Sequence, residues 1–321
     1  MTAVEAYSRL AGIYNEIVVD PCYDRWATFL HELWHSDDAG VHAVLDVCCG
    51  TGLMAQQLVA RGYRVVGVDG SASMLSRARR LLGPRAVLIH QTLPDLEVDG
   101  MFDAAISTFD GLNYLTPAQL RATLVAISRQ LRSGGWLVFD LHTDTMMDFT
   151  ASKPVASGNS DGHQFAIVSA VDVRARTCDT RIDVTRTADG DTFTERHRQY
   201  FFTDQQVRTA LVEAGFGEIT VTDEYSHEPA DASTLRATWT ARRVREIGNA
   251  IPVDEDLFSA DPGHLPDRSS MNADPRCRVE SASVGATGSG SRQPERLWTR
   301  LRVPLVSRAS MSLSGILTPD G

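Results

Sequence analysis

Residues 44–52 read VLDVCCGTG, and this stretch decides the fold. Gly50, Gly52 and Ala55 follow an apolar run and match the G-x-G-x-x-G/A pattern of a turn between a first strand and a first helix. Such a turn brings the backbone close to a ligand and points helix N–H groups at it. Asp46 lies four residues before the first of these glycines. The stretch therefore predicts a ligand-binding turn with a carboxylate beside it.

The segments that follow alternate between apolar strands and amphipathic helices. Helices are predicted at about 53–60, after the capping residue Ser71, and at about 117–131. Continuous apolar strands separated by helices are typical of a parallel sheet covered on both faces. The predicted strands are AVLDVC, YRVVGVD, RAVLIHQ, FDAAISTF and GGWLVFDLH, with EITVTDEY and LRATWTARRV completing the sheet. We therefore predict an α/β, Rossmann-like fold, preceded by two helices.

Residues 164–202 follow a different pattern, in which apolar side chains alternate with period two. The predicted apolar face carries Phe165, Ile167, Val171 and Val173, followed by Ile182 and Val184. The stretch 188–191, Ala-Asp-Gly-Asp, is typical of a hairpin turn. Together they predict a small antiparallel sheet, inserted as a lid over about 142–203, that covers the substrate.

The chain is predicted to divide near residue 248. Of the 73 residues from 249 to 321, 24 are Ser, Gly or Pro, a share associated with low-complexity sequence. We predict a functional domain over 1–248 and a disordered tail over 249–321. A partner-binding role and the absence of any role remain open for the tail.

Composition narrows the partners. With 31 basic against 41 acidic residues the net charge is −10, and the bases are not clustered, which argues against nucleic acid as a partner. No run approaches the roughly 18 apolar residues of a membrane span, and no signal peptide is recognisable. The five cysteines lack metal-ligand spacing. We expect a cytoplasmic protein with packed thiols and no metal that acts on a small molecule, with its oligomeric state undecided.

Two ligand classes use a glycine turn of this kind. A dinucleotide places its pyrophosphate there, and the carboxylate of Asp46 would repel it. S-adenosylmethionine carries an ammonium and a sulfonium but no phosphate, so the same carboxylate would attract it. Asp69 ends the second strand, where an acid can accept hydrogen bonds from the ribose hydroxyls of either ligand. The pairing of LDVCCGTG with VVGVDGSASML favours S-adenosylmethionine, with a divergent, non-catalytic binder and a nicotinamide-dependent oxidoreductase as alternatives.

From about residue 7 to 245 the chain resembles the class I S-adenosylmethionine-dependent methyltransferases. It is most similar to the small-molecule branch, which includes glycine N-methyltransferase and the amino-sugar N,N-dimethyltransferases. The resemblance implies a seven-stranded sheet with its last strand antiparallel, S-adenosylmethionine as cofactor, and methyl transfer to N or O of a small metabolite, for which specialised metabolism is the expected setting. The motifs that carry it are VLDVCCGTG, VDGSASML, FDAAISTFDGLNYL, GGWLVFDLH and the N-terminal YSRLAGIYNEIV.

The resemblance also implies roles for single residues. It places Tyr14 at the methionine end of the cofactor, and Met74 and Leu93 at the adenine. Two positions depart from the family pattern: Cys48 stands where the family has glycine, and Thr92 where it usually has an aspartate that accepts a hydrogen bond from the adenine. The expected cofactor-binding residues are Tyr14, Asp46, Cys48, Gly50, Thr51, Gly52, Asp69, Gly70, Met74, Thr92, Leu93 and Thr108.

The methyl acceptor is expected beyond the carboxyl ends of the strands, where open α/β sheets bind ligands. The candidate catalytic residues there are Asp110 after the fourth strand, His142 after the fifth, and Tyr200 from the inserted sheet. Asp110 could bind a substrate ammonium, take a proton, or cap a turn. His142 could be a base or a structural histidine, and Tyr200 a pocket wall or a surface residue. No Asn/Asp-Pro-Pro-aromatic or Pro-Cys motif follows the fourth strand, which argues against methylation of amino groups on bases or glutamine and of pyrimidine C5.

Overall fold

The structure, a computed structural model, describes residues 6–17, 22–35, 40–160 and 162–244. The predicted tail over 249–321 lies outside the described residues. The α-helices are α1 Tyr14–Ile17, α2 Cys22–His35, α3 Leu53–Ala60, α4 Ala72–Leu82, α5 Pro117–Gln130, α6 Asp144–Ser152 and α7 Asp204–Glu213, and 3₁₀ helices cover Leu10–Gly12, Gly83–Arg85 and Gly111–Tyr114. The strands are β1 Ala43–Val47, β2 Arg64–Asp69, β3 Val87–His90, β4 Phe102–Ser107, β5 Leu131–His142, β6 Val155–Ser160, β7 His163–Asp172, β8 Thr177–Arg186, β9 Thr192–Tyr200, β10 Phe216–Asp223 and β11 Arg236–Arg243.

Seven strands form the larger sheet, in the order β3-β2-β1-β4-β5-β11-β10. The pairs among β1 to β5 are parallel, whereas β11 is antiparallel to both β5 and β10. Every residue of β1 is buried, as expected for a central strand covered on both faces. The Rossmann-like fold and its antiparallel last strand are confirmed.

Local signals set the helix starts as predicted. The Ser71 hydroxyl accepts the N–H of Met74 at the start of α4, and Pro117 opens α5 behind a capping box formed by Thr116 and Gln119. Because β1, β2 and β4 are parallel, the loops that follow them lie at one edge of the sheet.

The inserted sheet is antiparallel, with the order β6-β7-β8-β9. Four of the side chains predicted for its apolar face are buried together, and they pack with Leu10 and Ile13 from the N-terminal segment. These four are Phe165, Ile167, Ile182 and Val184. Val173 differs from the prediction, since it lies in the turn after β7 and is half exposed.

The N-terminal segment is less helical than predicted. Its regular structure is the 3₁₀ turn Leu10–Gly12 and the single turn of α1. Tyr7 has a φ of +61°, which a right-handed helix does not allow. The N–H groups of Tyr7, Arg9 and Leu10 bond to the carboxylate of Glu195 on β9 instead. A long-range carboxylate therefore satisfies backbone donors that the sequence pattern assigned to a helix.

Among the helices of the described residues, none has both the length and the apolar character that crossing a membrane requires.

Candidate active site

The turn after β1 has the backbone that its sequence predicts. Gly50 and Gly52 have φ values of +55° and +84°. A Cβ on Gly52 would lie 2.9 Å from Leu82 Cδ1, so this glycine also permits α3 to pack on α4. Cys48 has a φ of +61°, which explains why glycine suits this position and makes the cysteine a mildly strained substitute. Burial raises the pKa of the Cys48 thiol, so it stays protonated.

Asp46 is fully buried at the end of β1, beside this turn. Neither of its carboxylate oxygens has a hydrogen-bond partner among the described residues. Burial, together with the like charge of Asp69, raises the pKa of Asp46 to about 8. An orphaned carboxyl group is costly to bury, and it becomes favourable once a positive charge lies next to it. The arrangement fits a cationic ligand and does not fit a pyrophosphate.

Asp69 ends β2 and closes the turn. Its Oδ2 accepts the N–H of Gly50 and its Oδ1 accepts the N–H of Ser71, both at 2.8 Å. Burial raises the pKa of Asp69, and these two N–H groups oppose that shift. Because a carboxylate has about four acceptor sites, two remain for ligand hydroxyls.

The remaining predicted cofactor residues lie on neighbouring elements. The Thr51 hydroxyl donates to Asn15 Oδ1 at 2.8 Å, which ties the glycine turn to α1, where Tyr14 lies. Thr92 is exposed, and its Oγ1 lies 3.6 Å from the Cβ position of Gly70. Met74 and Thr108 are buried, and Leu93 packs partly buried against the core.

Two consecutive residues after β4 have left-handed backbones, Phe109 with a φ of +62° and Asp110 with +49°. For residues other than glycine such conformations cost of order 1–3 kcal/mol each and concentrate at functional sites. The N–H of Asp110 donates to Asp140 Oδ2 at 2.8 Å, which holds the loop against the end of β5. The strained backbone turns the Asp110 carboxylate into the protein.

A buried guanidinium, that of Arg236 on β11, joins three acids. Its Nη2 lies 3.3 Å from Asp110 Oδ1, its Nε 3.2 Å from Asp140 Oδ2, and its Nη1 3.2 Å from Glu224 Oε1. Burial raises the pKa of Asp110 and of Asp140 to about 6, and Arg236 opposes the shift in both. With all three acids ionised, this cluster carries more negative than positive charge.

His142 is buried at the end of β5, with its Nε2 3.6 Å from Asp110 Oδ1. Burial, and the nearby charge of Arg236, lower the pKa of His142 well below its ordinary value, so the ring is neutral. The backbone N–H of His142 donates to Asn113 Oδ1, and Asn113 Nδ2 donates to the backbone carbonyl of Tyr200 at 2.7 Å. Asn113 therefore ties the end of β5 to the inserted sheet.

Known proteins carry the same sequence pattern and fold. The methyltransferase domain family matches residues 44–135, from β1 into β5. A protein of Geobacillus sp. (strain WCH70), whose name describes it as a methyltransferase without a stated substrate, is 28% identical over 247 residues, covering 74% of this chain and 99% of the relative. Residues 44–135 of the chain belong to the methyltransferase domain family.

Two further proteins are similar to this chain, one in sequence and one in fold. The dTDP-3-amino-3,4,6-trideoxy-alpha-D-glucopyranose N,N-dimethyltransferase of Streptomyces venezuelae is 29% identical over 150 residues, which cover 46% of this chain and 62% of that enzyme. An S-adenosylmethionine-dependent methyltransferase from Clostridium acetobutylicum ATCC 824 has the same fold, with a TM-score of 0.66 and 21% identity, over 74% of this chain and 98% of its own.

The structure places Tyr200 on the face of β9 opposite to the one that reaches Asp110. Side chains on β9 alternate between its two faces, and Tyr200 lies on the same face as Arg198. Its ring packs against the core of the larger sheet. The β9 side chain that reaches Asp110 is Gln199, which donates from Nε2 to Asp110 Oδ2 at 2.6 Å.

Sequence reasoning also missed Arg236 and the role of Asp140. The arginine lies among polar residues in LRATWTARRV, and its burial follows only from the antiparallel pairing of β11 with β5, which sets Arg236 opposite His142. The alternation of side chains along ERHRQY could have predicted the position of Gln199, since it places Glu195, His197 and Gln199 on one face of the strand.

Proposed function

We propose that this methyltransferase transfers the methyl group of S-adenosylmethionine to an amine nitrogen of a small metabolite. The observation that carries the proposal is the pairing of two buried acidic centres at one edge of the sheet. One is the orphaned carboxyl of Asp46 beside the glycine turn, and the other is the Asp110 cluster after β4.

The donor side suits S-adenosylmethionine because this cofactor is cationic. Asp46 would lie near its positive charge, and Asp69 would accept hydrogen bonds from its ribose. Tyr14, Met74, Thr92 and the other predicted cofactor residues would surround it. When bound, the cofactor supplies an activated methyl group on a positively charged sulfur.

The acceptor side suits an amine because its charge is negative. Arg236 faces Asp110, Asp140 and Glu224, and Arg25 lies 3.9 Å from Glu224, so two positive charges are set against three acids. Asp110 would bind the acceptor's ammonium or N–H group and orient its nitrogen. Above a pH of about 6, the pKa of Asp110, the carboxylate is ionised and available for this. Alignment and exclusion of water are the main requirements of methyl transfer.

The name of one relative supports an amine acceptor. The Streptomyces venezuelae enzyme methylates the nitrogen of an amino sugar, as its name states. The 150 residues that align with it make up 46% of this chain. We extend to this chain the class of acceptor, an amine on a small molecule, and no particular sugar.

Calorimetric titration of the full chain with S-adenosylmethionine, S-adenosylhomocysteine and NAD tests the donor. We expect binding of both sulfur nucleosides, and failure of both to bind would contradict the proposal. Turnover is then measured as S-adenosylhomocysteine released with a panel of small amines that includes glycine, sarcosine and 3-amino-3-deoxyglucose, and with matched alcohols. If only the alcohols are methylated, the acceptor is an alcohol and the proposal of an amine acceptor is wrong.

Asp110→Asn separates the two halves of the site. The substitution keeps the shape of the side chain but removes its charge, so S-adenosylmethionine should bind as before while the KM for the amine rises. Unchanged kinetics with the amine would rule out Asp110 as the acceptor-binding group.

A further inference from the structure

The inner face of β9 carries a chain of hydrogen bonds that the proposed function does not use. His197 Nε2 lies 3.2 Å from Glu195 Oε2, and His197 Nδ1 lies 2.9 Å from the Tyr114 hydroxyl. The Tyr114 hydroxyl lies 2.7 Å from that of Tyr7. Four side chains from three separate segments therefore form one continuous path, which we call the β9 relay.

One end of the β9 relay lies beside the proposed acceptor site. Tyr114 is three residues after Gly111, in the 3₁₀ helix that Asp110 begins. Burial raises the pKa of Tyr114 well above its ordinary value, and the negative charge of Asp110 is the second cause of this rise. The ring of Tyr7 packs 5.7 Å from the rings of both Tyr14 and Tyr114. The phenols are thus neutral and near the carboxylate that would bind the amine.

The other end is a carboxylate that can only accept. Glu195 is fully buried, and its Oε1 accepts the N–H groups of Arg9 and Leu10 at 2.7 and 2.8 Å. Its Oε2 accepts the N–H of Tyr7 at 2.8 Å. Burial raises the pKa of Glu195, but the hydrogen bonds from His197 and these backbone groups outweigh it and hold the pKa below its ordinary value.

When the His197 ring carries one proton, these contacts fix the direction of every bond. Because ionised Glu195 only accepts, the proton of His197 must sit on Nε2, and Nδ1 of the neutral ring is then an acceptor. Tyr114 donates to that Nδ1 and accepts from Tyr7. The oxygen of Tyr7 is left with lone pairs at the open end of the relay, where it can accept a proton from a ligand.

We propose that the β9 relay removes the proton that an amine must lose around methyl transfer and stores it on His197. This inference rests on the proposed function, since it needs an amine acceptor beside Asp110. Tyr7 would touch the acceptor, while Tyr114, His197 and Glu195 act through it as positioning residues.

The step balances without any further reactant. The acceptor's N–H proton passes to the Tyr7 oxygen as the Tyr7 proton passes to Tyr114 and the Tyr114 proton to His197 Nδ1. The freed nitrogen lone pair forms the N–CH₃ bond as the S–CH₃ bond breaks, and its electrons stay on sulfur as the thioether. His197 is left as an imidazolium paired with Glu195, and it returns the proton to water along the same path when the product leaves.

The test compares Tyr114→Phe and His197→Gln with the wild-type chain, using the amine that the acceptor panel identifies. Each variant cuts the relay while filling the same space. We expect kcat at pH 7.5 to fall about 100-fold, within the range of general-base catalysis, with the affinity for S-adenosylmethionine unchanged. The deficit should shrink as the pH approaches the pKa of the amine, because a free amine needs no relay. A loss that is equal at every pH would overturn the proposal, since it would indicate a structural role.

The chain offers a matched control. The Tyr63 hydroxyl forms a hydrogen bond of the same phenol–imidazole kind, and it lies 2.8 Å from Nδ1 of His31 on α2. This pair lies away from Asp110. Tyr63→Phe should leave both kcat and its pH profile unchanged. A pH-dependent deficit in Tyr63→Phe as large as that in Tyr114→Phe would also overturn the relay.

A second readout keeps the inference separable from the proposed function. In NMR spectra of the full chain with ¹⁵N-labelled histidine and bound S-adenosylhomocysteine, the relay requires His197 protonated on Nε2, with an Nδ1 signal that shifts in Tyr114→Phe but not in Tyr63→Phe. A proton on Nδ1 of the neutral ring would overturn the relay even if amines are methylated. If no amine is methylated but the tautomer is as expected, it is the amine assignment that fails, and with it the relay's role in catalysis.

Discussion

Gln199 donates a hydrogen bond of 2.6 Å from its Nε2 to Asp110 Oδ2, and so connects the inserted sheet to the end of β4. This bond stabilises the ionised form of Asp110 and opposes the burial that raises its pKa to about 6. Any change that removes the amide should therefore move the ionisation of Asp110 closer to neutral pH.

Gln199→Leu should shift the acidic limb of the turnover profile to higher pH. Asp110 must be ionised to bind an ammonium, so activity is lost as the pH falls through its pKa, and the variant should lose it earlier. The kcat/KM profile of wild type and variant between pH 5 and 8 measures the shift. Arg198→Met, an exposed change on the opposite face of β9, is the control and should leave the profile in place. Coincident profiles for Gln199→Leu and wild type would contradict the proposed role of Asp110.

Asp46 should make cofactor affinity depend on pH. Its pKa of about 8 in the free protein means that its carboxyl is mostly protonated at neutral pH, whereas a bound cation favours the carboxylate. Binding S-adenosylmethionine below pH 8 should therefore release a proton, and affinity should rise with pH and level off above about 8. Calorimetry at pH 6 to 9, in buffers of different ionisation enthalpy, measures both effects.

Asp46→Asn should bind the cofactor more weakly and with a flatter pH dependence. Asp69→Asn is the comparison, because it removes the proposed ribose contact but keeps the Asp46 carboxyl. It should lower affinity by about tenfold or more, as for a lost hydrogen bond to a charged group, yet retain the rise with pH. A rise that persists in Asp46→Asn would assign the proton to another group.

The same Asp46→Asn change should stabilise the cofactor-free chain. The folded-state pKa of Asp46 lies above its ordinary value of 3.8, so the folded state gains stability from the protonated form, and that gain is lost as the pH rises from about 4 to 8. Asparagine has no charge to bury. The melting temperature of the variant should exceed that of wild type by more at pH 8.5 than at pH 5, and equal differences at both pH values would contradict the burial argument.

The sequence predicted most of what depends on local pattern. The glycine turn, the order of strands and helices, the Ser71 cap and the inserted hairpins all follow from spacing within one segment. Asp110 and His142 were placed correctly at the ends of β4 and β5 because parallel strands bring those ends together.

What the sequence did not predict depends on pairing between distant segments. Arg236 reaches Asp110 across 126 positions, and Glu195 takes up N–H groups of residues more than 180 positions away. The sequence gives no sign that these two residues are buried, since arginine and glutamate are usually exposed. Tyr200 was assigned to the pocket by residue type, although its alternation with Gln199 on β9 puts it on the other face.

Arg236→Met should destabilise the protein strongly. The change leaves Asp110 and Asp140 buried beside each other without their cation, and breaking a buried ion pair in this way costs about 3–5 kcal/mol. The pKa values of both acids should rise above about 6, so the loss should be larger at pH 8 than at pH 5, where the acids can protonate. Urea unfolding at the two pH values measures it. Arg198→Met, which removes an exposed pair with Asp179, should change the stability far less, because water screens exposed ion pairs.

Gly111 and Cys48 should couple in a double-mutant cycle. A Cβ on Gly111 would lie 2.7 Å from Cys48 Cβ, which is closer than real Cβ atoms come. Gly111→Ala should therefore cost about 1–3 kcal/mol, as overpacking does. Cys48→Gly removes the opposing Cβ and suits the φ of +61° at that position, so Gly111→Ala should cost much less in that background. Equilibrium unfolding of the four proteins gives the coupling energy, and additive effects would mean that the turn after β1 and the loop after β4 do not contact each other as described.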